Sequence, residues 1–296
     1  MHFKNSGIIL FILALLCGTV KAQENIQVVA SFSILTDLIQ QIGGDRVSVD
    51  TLVGPEQDAH VFDPAPKDAI RIARARLVII NGFGFEGWME RLVKVSASKP
   101  NLITATYGVN PHSQKDDHGH DGIDPHAWQD VSNVKIYAAN IKDALIAIDP
   151  SSKSTFDLNF ARYDAQLSSL DAFIRTSIAT IPPERRKIVT THDAFGYFER
   201  AYGVSMIAPQ GASTESEASA KDVARIIRQV KMENVPAVFI ENISDPRLAE
   251  QIAKESGAKI GGKLYSDALS NENGPAGTYI TMMETNIREL TKAMLP

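Results

Sequence analysis

From residue 26 onward, apolar and polar positions alternate in blocks that read strand, helix, strand. Ile26–Phe32 (IQVVASF) is a nearly continuous apolar run of strand length. Helical spacing follows over Ile34–Ile42 and stops at Gly43-Gly44, a C-terminal signal. Val47–Val53 alternates as VSVDTLV and predicts a second strand. A helix beginning near Pro66 and running past Ala75 leads to a buried strand at Leu77–Ile80. Trp88–Val95 is helical, and Asn101–Thr104 is a weak further strand. This alternation predicts an α/β lobe with a mainly parallel sheet flanked by helices.

A helix over Val131–Ile148 ends at Asp149-Pro150, and the stretch from Ser154 to Ile181 then contains neither Gly nor Pro. Phe156, Phe160, Tyr163, Leu167, Leu170, Phe173 and Ile174 recur along it at helical spacing. At 1.5 Å per residue, one such helix spans roughly 40 Å, the length of a small two-lobed protein. It reads as a rigid connector, with an ordinary long surface helix as the alternative. The alternation restarts with strands at Lys187–Thr191, Val204–Ala208, Ala237–Ile240 and Ile260–Leu264. Helices are predicted at Ala194–Tyr202, Ala218–Met232, Pro246–Glu255 and Tyr279–Ala293. The expected organisation is a leader over 1–22, an α/β lobe over 23–152, a linking helix over 153–181 and a second α/β lobe over 182–296.

The leader has the form of a secretory signal: Lys4, the apolar run Ile8–Leu16, then Val20-Lys21-Ala22. The run is about half the roughly 20 residues a membrane span needs. Cys17 raises lipidation, but Leu16 stands where a small residue is expected, so an unanchored periplasmic protein is the expectation. Removing the leader removes the sole cysteine, which excludes disulfides and thiolate metal sites. It also removes Lys4 and Lys21, making the formal charge of −5 more negative by two. An acidic exported chain argues against nucleic acid as partner and mildly favours cations.

Seven histidines occur, one of them (His2) in the leader. His60 (DAHVFDP), His126 (DPHAW) and His192 (TTHDAF) stand alone in loop-like motifs, whereas His112, His118 and His120 crowd the polar stretch 111–122. His60 and His192 follow predicted strands, as does Asp267, and His126 precedes a helix. Open α/β sheets place ligand sites at the carboxyl ends of their strands, so these four side chains can meet between the lobes. Three imidazoles and a carboxylate make a complete tetrahedral set for Zn²⁺. Taken singly, each histidine reads more readily as a loop or capping residue than as a ligand. Asp58, Asp63, Asp124, Asp193 and Glu241 are candidate acceptors for the second ring nitrogens, with capping and solvation as the plainer alternative.

The segments 81–89 (NGFGFEGWM), 124–128 (DPHAW), 191–198 (THDAFGYF) and 265–281 (YSDALSNENGPAGTYIT) resemble the zinc- and manganese-binding solute-binding proteins of bacterial ABC importers. The resemblance runs in order over essentially the whole mature chain. It implies two lobes bridged by a long helix, with the metal in the cleft between them. It assigns His60, His126 and His192 to the nitrogen ligand positions and Asp267 to the carboxylate position. It further implies a monomer that delivers metal to a membrane ABC permease, with a zinc metallochaperone as a candidate loading partner. Manganese-preferring members usually carry Glu where this chain has His192. A third imidazole also softens the site, so zinc is the expected cargo and manganese the alternative. Many zinc members have a longer histidine-rich loop than this one. Neutral imidazoles are required, so affinity is expected to fall below pH of about 6.5.

Two other readings are weighed against this one. Gly82–Gly87 (GFGFEG) is formally a dinucleotide fingerprint, but no acid occurs between Glu90 and Asp116 to hold a ribose, and Glu86 would face the pyrophosphate. The glycines read better as a tight strand-to-helix turn. No HExxH helix, P-loop or GxSxG elbow occurs, and a zinc hydrolase would need an open coordination position and a general base. The polar stretch 111–122 reads either as a low-affinity metal collector or as a disordered edge loop. A collector predicts that deleting residues 112–121 slows zinc acquisition at low zinc while sparing final affinity, measured by stopped-flow loading and equilibrium competition.

Overall fold

The computed structural model describes residues 24–96, 99–115 and 121–295. The leader and Cys17, along with His118 and His120, lie outside the described residues. Strands β1 (Ile26–Phe32), β2 (Val47–Val53), β3 (Leu77–Ile80) and β4 (Leu102–Thr104) form one sheet in the order β2-β1-β3-β4, every pair parallel. Helices α1 (Ser33–Gly43), α2 (Pro66–Arg74) and α3 (Met89–Val95) connect them. The short strands β5 (Ser113–Lys115) and β6 (Asp121–Ile123) pair antiparallel. The base of the polar stretch is therefore a hairpin, which alternation of side chains over so few residues does not reveal.

Helix α4 (Val131–Ile148) is capped by Asp130, whose Oδ1 accepts the Ser132 N–H at 2.8 Å. Helix α5 runs unbroken over Lys153–Ala179 and buries Phe156, Tyr163, Leu167, Leu170, Ile174 and Ile178. Phe173, counted with the buried stripe by spacing, is instead 40% exposed. It lies one residue from Ile174, and 100° of helical rotation turns it off the face that packs on α1 and α4.

Beyond α5 come β7 (Lys187–Val189), α6 (Gly196–Tyr202), β8 (Ser205–Ile207), α7 (Ala220–Glu233), β9 (Ala237–Glu241), α8 (Pro246–Ser256) and β10 (Lys259–Leu264). These strands form a second parallel sheet in the order β10-β9-β7-β8. The last helix, α9 (Tyr279–Met294), packs on β10 and returns to lie against α5 and α1. One apolar core runs through both halves, from Ile26 and Phe32 by way of Trp128, Tyr163 and Tyr279 to Phe239 and Leu264. A smaller core under α7 and α8 covers the other face of the second sheet. No helix of the described residues is long and apolar enough to cross a membrane.

Both sheets are parallel, so their carboxyl ends carry the loops that hold His60, His192 and Asp267. The burial pattern of α5 gives a direct check. Leu167→Ala removes a fully buried side chain and is expected to cost about 2–5 kcal/mol of stability. Phe173→Ala is expected to cost less than about 1 kcal/mol. Urea unfolding of the two variants followed by circular dichroism measures the difference.

Candidate metal centre

Each loop is fixed locally before its donor is presented. After β2, Asp58 Oδ1 accepts the backbone N–H of His60 at 2.9 Å, and its Oδ2 accepts the Thr214 hydroxyl at 2.6 Å. The Trp88 indole N–H donates to the Ala59 carbonyl at 2.9 Å. Asp124 Oδ1 accepts both the backbone N–H of His126 at 2.9 Å and its ring Nδ1–H at 2.8 Å. The Asn81 amide donates to the Pro125 carbonyl at 2.9 Å, and the Tyr137 hydroxyl donates to Asn81 Oδ1 at 2.6 Å. Beyond β7, Glu241 Oε1 accepts the N–H groups of Thr191 and His192 at 2.6 and 2.9 Å. Glu241 Oε2 lies 2.6 Å from His192 Nδ1 in a close but bent contact.

The structure brings the four predicted donors together. His126, His192 and Asp267 are fully buried, and His60 is 9% exposed. Their donor atoms all lie within 4.8 Å of one another. His60 Nε2 is 3.3 Å from His126 Nε2 and 3.3 Å from Asp267 Oδ2. His192 Nε2 is 3.1 Å from Asp267 Oδ2, and His126 Nε2 is 3.6 Å from Asp267 Oδ1. A tetrahedron with bonds of 2.0–2.1 Å has edges of about 3.3 Å. Four of the donor separations lie near that edge and every pair lies within 4.8 Å, so the cluster is of a size to hold such an ion. Asp267 Oδ1 is buried without a hydrogen-bond partner, and a cation held among these donors would supply what that oxygen lacks.

Electrostatics follow from the burial. Desolvation opposes charge on His126, but Asp267 and the hydrogen bond its ring donates to Asp124 outweigh it and push its pKa up to about 9. His192 is likewise raised well above the ordinary imidazole range, by Glu241 and Asp267 against the same desolvation. Burial would raise the Asp267 carboxyl, but His192 and His126 hold it well below the usual range. Glu241 is lowered by His192 in the same way, against its own burial.

The GFGFEG turn has a structural role that spacing alone does not show. Gly82, Phe83 and Gly84 all adopt positive φ, and a Cβ on Gly82 would meet Thr104 Cγ2 at 2.4 Å. Glu86 is buried in this turn and accepts the Ser31 hydroxyl and the Asn81 N–H, both at 2.6 Å, and the Gly82 N–H at 3.1 Å. That arrangement puts Phe85 edge-on to His60, with ring centroids 4.8 Å apart, and against Trp128 at 4.9 Å. Trp128 in turn packs on His126 at 5.2 Å. Phe85, Trp128 and Asn81 have no role in the linear reading, and Glu86 enters it only as a charge that would oppose a pyrophosphate. The available signal was their place in the NGFGFEG and DPHAW segments, beside a strand adjacent to β1.

Of the candidate acceptors, Asp124 and Glu241 reach ligand rings. Asp58 reaches the His60 backbone N–H and the Thr214 hydroxyl, and Asp63 is exposed. Asp193 is half-buried, and its N–H donates to the Gly211 carbonyl at 3.1 Å. His112 stands apart from the four donors. Its N–H donates to the Tyr197 hydroxyl at 2.9 Å, and its ring packs on the Tyr197 ring. The expected accessory histidines His118 and His120 lie outside the described residues.

Two parallel-sheet halves joined by a long helix, with a buried three-histidine, one-carboxylate cluster at their strand ends, define a substrate-binding protein for a divalent metal. The chain belongs to the family described as zinc-uptake complex component A, periplasmic, whose pattern matches residues 28–293. Its members are metal-binding components of ABC importers, not enzymes. The chain is 33% identical over 271 residues to the manganese-binding lipoprotein MntA of Halalkalibacterium halodurans, covering 91% of this chain and 89% of that protein. It is 32% identical over 269 residues to the iron-binding protein YfeA of Yersinia pestis, covering 91% and 86%. Among solved structures it is similar to the periplasmic zinc-binding protein TroA of Treponema pallidum, with a TM-score of 0.87 and 29% identity, covering 92% of this chain and all of that one.

The raised imidazoles carry a pH prediction. A metal needs a bare Nε2, so binding to the protonated site expels protons, and lower pH favours the proton. His126 titrates near 9, so affinity is expected to fall as pH drops from about 9. The decline begins well above the 6.5 expected for an unperturbed imidazole and steepens to roughly tenfold per pH unit for each proton displaced. Isothermal titration in buffers of different ionisation enthalpy counts the protons directly.

Proposed function

We propose that this chain captures Zn²⁺ in the periplasm through His60, His126, His192 and Asp267 and hands it to the membrane permease of an ABC importer. The observation that carries the reading is the set of donor separations, 3.1 to 3.6 Å between three imidazole nitrogens and one carboxylate. Nitrogen-rich donor sets favour zinc over the harder manganese ion. TroA, which shares the fold, is described as zinc-binding. Loading by a zinc metallochaperone and a monomeric state belong to the same proposal.

One observation favours a second cargo. Both Asp267 oxygens face the cluster, and Oδ1 has no hydrogen-bond partner. A bidentate carboxylate would make five donors and suit manganese or iron, the metals in the names of MntA and YfeA. MntA is also named a lipoprotein, so the expectation of an unanchored N-terminus draws no support from it.

Competition between the metals separates the two readings. Metal-free protein dialysed against equal free Zn²⁺ and Mn²⁺ is expected to hold one ion per chain, predominantly zinc by elemental analysis. Predominant manganese, or equal loading, would favour the harder-metal reading. Loss of binding in neither His126→Ala nor Asp267→Ala would remove the site itself.

A further inference from the structure

Asp267 belongs by sequence to the second half, directly after β10, yet its loop is held mainly by the first half. Tyr265 is still tied to α9: its N–H donates to Asn286 Oδ1 and its carbonyl accepts from Asn286 Nδ2, both at 2.8 Å. From Ser266 onward the partners change. The Trp128 indole N–H and the Gln129 side-chain N–H both donate to the Ser266 carbonyl, each at 2.8 Å. The Leu269 N–H donates to Ser33 Oγ at 3.0 Å, and the Leu269 carbonyl accepts the Glu56 N–H at 3.0 Å. At the far end of the loop, the Tyr279 N–H donates to Asp37 Oδ2 at 2.8 Å and the Tyr279 hydroxyl donates to the Trp128 carbonyl at 2.7 Å. On the opposite side, Asn242 Nδ2 donates to the Ala268 carbonyl at 3.1 Å.

The His192 loop is tied the other way. The Thr191 and His192 N–H groups go to Glu241, the Thr190 N–H to the Ile207 carbonyl and the Asp193 N–H to the Gly211 carbonyl. All of these partners lie in the second half.

We propose that Trp128 and Gln129 are positioning residues for Asp267. By gripping the Ser266 carbonyl, they fasten the Asp267 loop to the half that carries His60 and His126. The four donors then divide three and one: His60, His126 and Asp267 move as a unit, and His192 alone rides on the second half. Two N–H donors on one buried carbonyl oxygen fill both its lone pairs, so the peptide beside Asp267 cannot turn without breaking both. Neither residue touches the ion; each acts through Asp267. The proposal rests on the four-donor reading of the site.

A double-mutant cycle on the full chain tests it, with zinc affinity read by competition against a fluorescent chelator. Gln129→Leu keeps the side-chain volume and removes one grip while Trp128 retains the other. The expected loss is therefore about tenfold, the lower end for residues that orient a ligand. The same loss is expected in a His192→Ala background. In an Asp267→Ala background it should shrink to less than about twofold, because the group being positioned is gone. Trp128→Phe, which removes the other donor and keeps an aromatic ring, runs the same cycle should Gln129→Leu fail to fold by circular dichroism. An equal loss in all three backgrounds would mark a general structural effect and overturn the proposal, as would no loss in any. If Asp267→Ala alone leaves zinc affinity unchanged, the four-donor reading itself has failed and the proposal falls with it.

Discussion

A carboxylate sealed from water needs a positive charge beside it, and Asp267 is such a carboxylate. Three imidazole nitrogens surround it at 3.1 to 3.6 Å, and no lysine or arginine is paired with it among the described residues. The charge is balanced either by protons on the imidazoles or by a cation among the four donors. Asp124 and Glu241 add two more buried carboxylates behind His126 and His192, which strengthens the demand for positive charge. This balance explains the raised imidazoles and lowered carboxyls, and it makes capture of a metal an exchange of protons for an ion.

The fold keeps these like charges together at tolerable cost. Parallel sheets deliver their loops to one end, and two such sheets facing across a shared core bring four separate loops to one point. Backbone N–H groups then absorb much of the carboxylate charge, two at Glu241 and one each at Asp124 and Asp58. Helix α5 and the returning α9 pack the halves into one apolar body. A large rotation of one half against the other would expose Tyr163, Tyr279 and their neighbours to water. Each fully exposed aromatic side chain would cost roughly 1.5–3 kcal/mol, so small loop displacements are the less costly route to release.

Much of this arrangement is legible in the linear chain. Ile26–Phe32, Val47–Val53, Leu77–Ile80 and Val131–Ile148 form elements with the bounds their apolar patterns predict, because each is buried on the faces that the period specifies. His60, His126, His192 and Asp267 converge as strand-end placement implies. What stays hidden is set by three-dimensional neighbours. Phe85 covers His60 only because three consecutive positive φ angles turn the chain over a buried Glu86. No periodicity separates Phe173 from Ile174, since the packing of one helix face decides which is covered. The allegiance of the Asp267 loop is equally invisible, since its partners at Ser33, Asp37, Trp128 and Gln129 lie more than a hundred residues away in sequence.

The same geometry separates a carrier from a catalyst. Catalytic zinc keeps one coordination position for water, whereas the proposed set of three imidazoles and one carboxylate would fill a tetrahedral shell. The carboxylates behind the imidazoles hold the ligand loops: Asp124 Oδ1 takes the His126 ring N–H, and Glu241 Oε1 takes two backbone N–H groups. Phe85 and Trp128 pack on one flank of the cluster, against the His60 and His126 rings. A shell filled by protein donors would hold an ion without activating a water on it, and such an ion would leave only when one of those donors does.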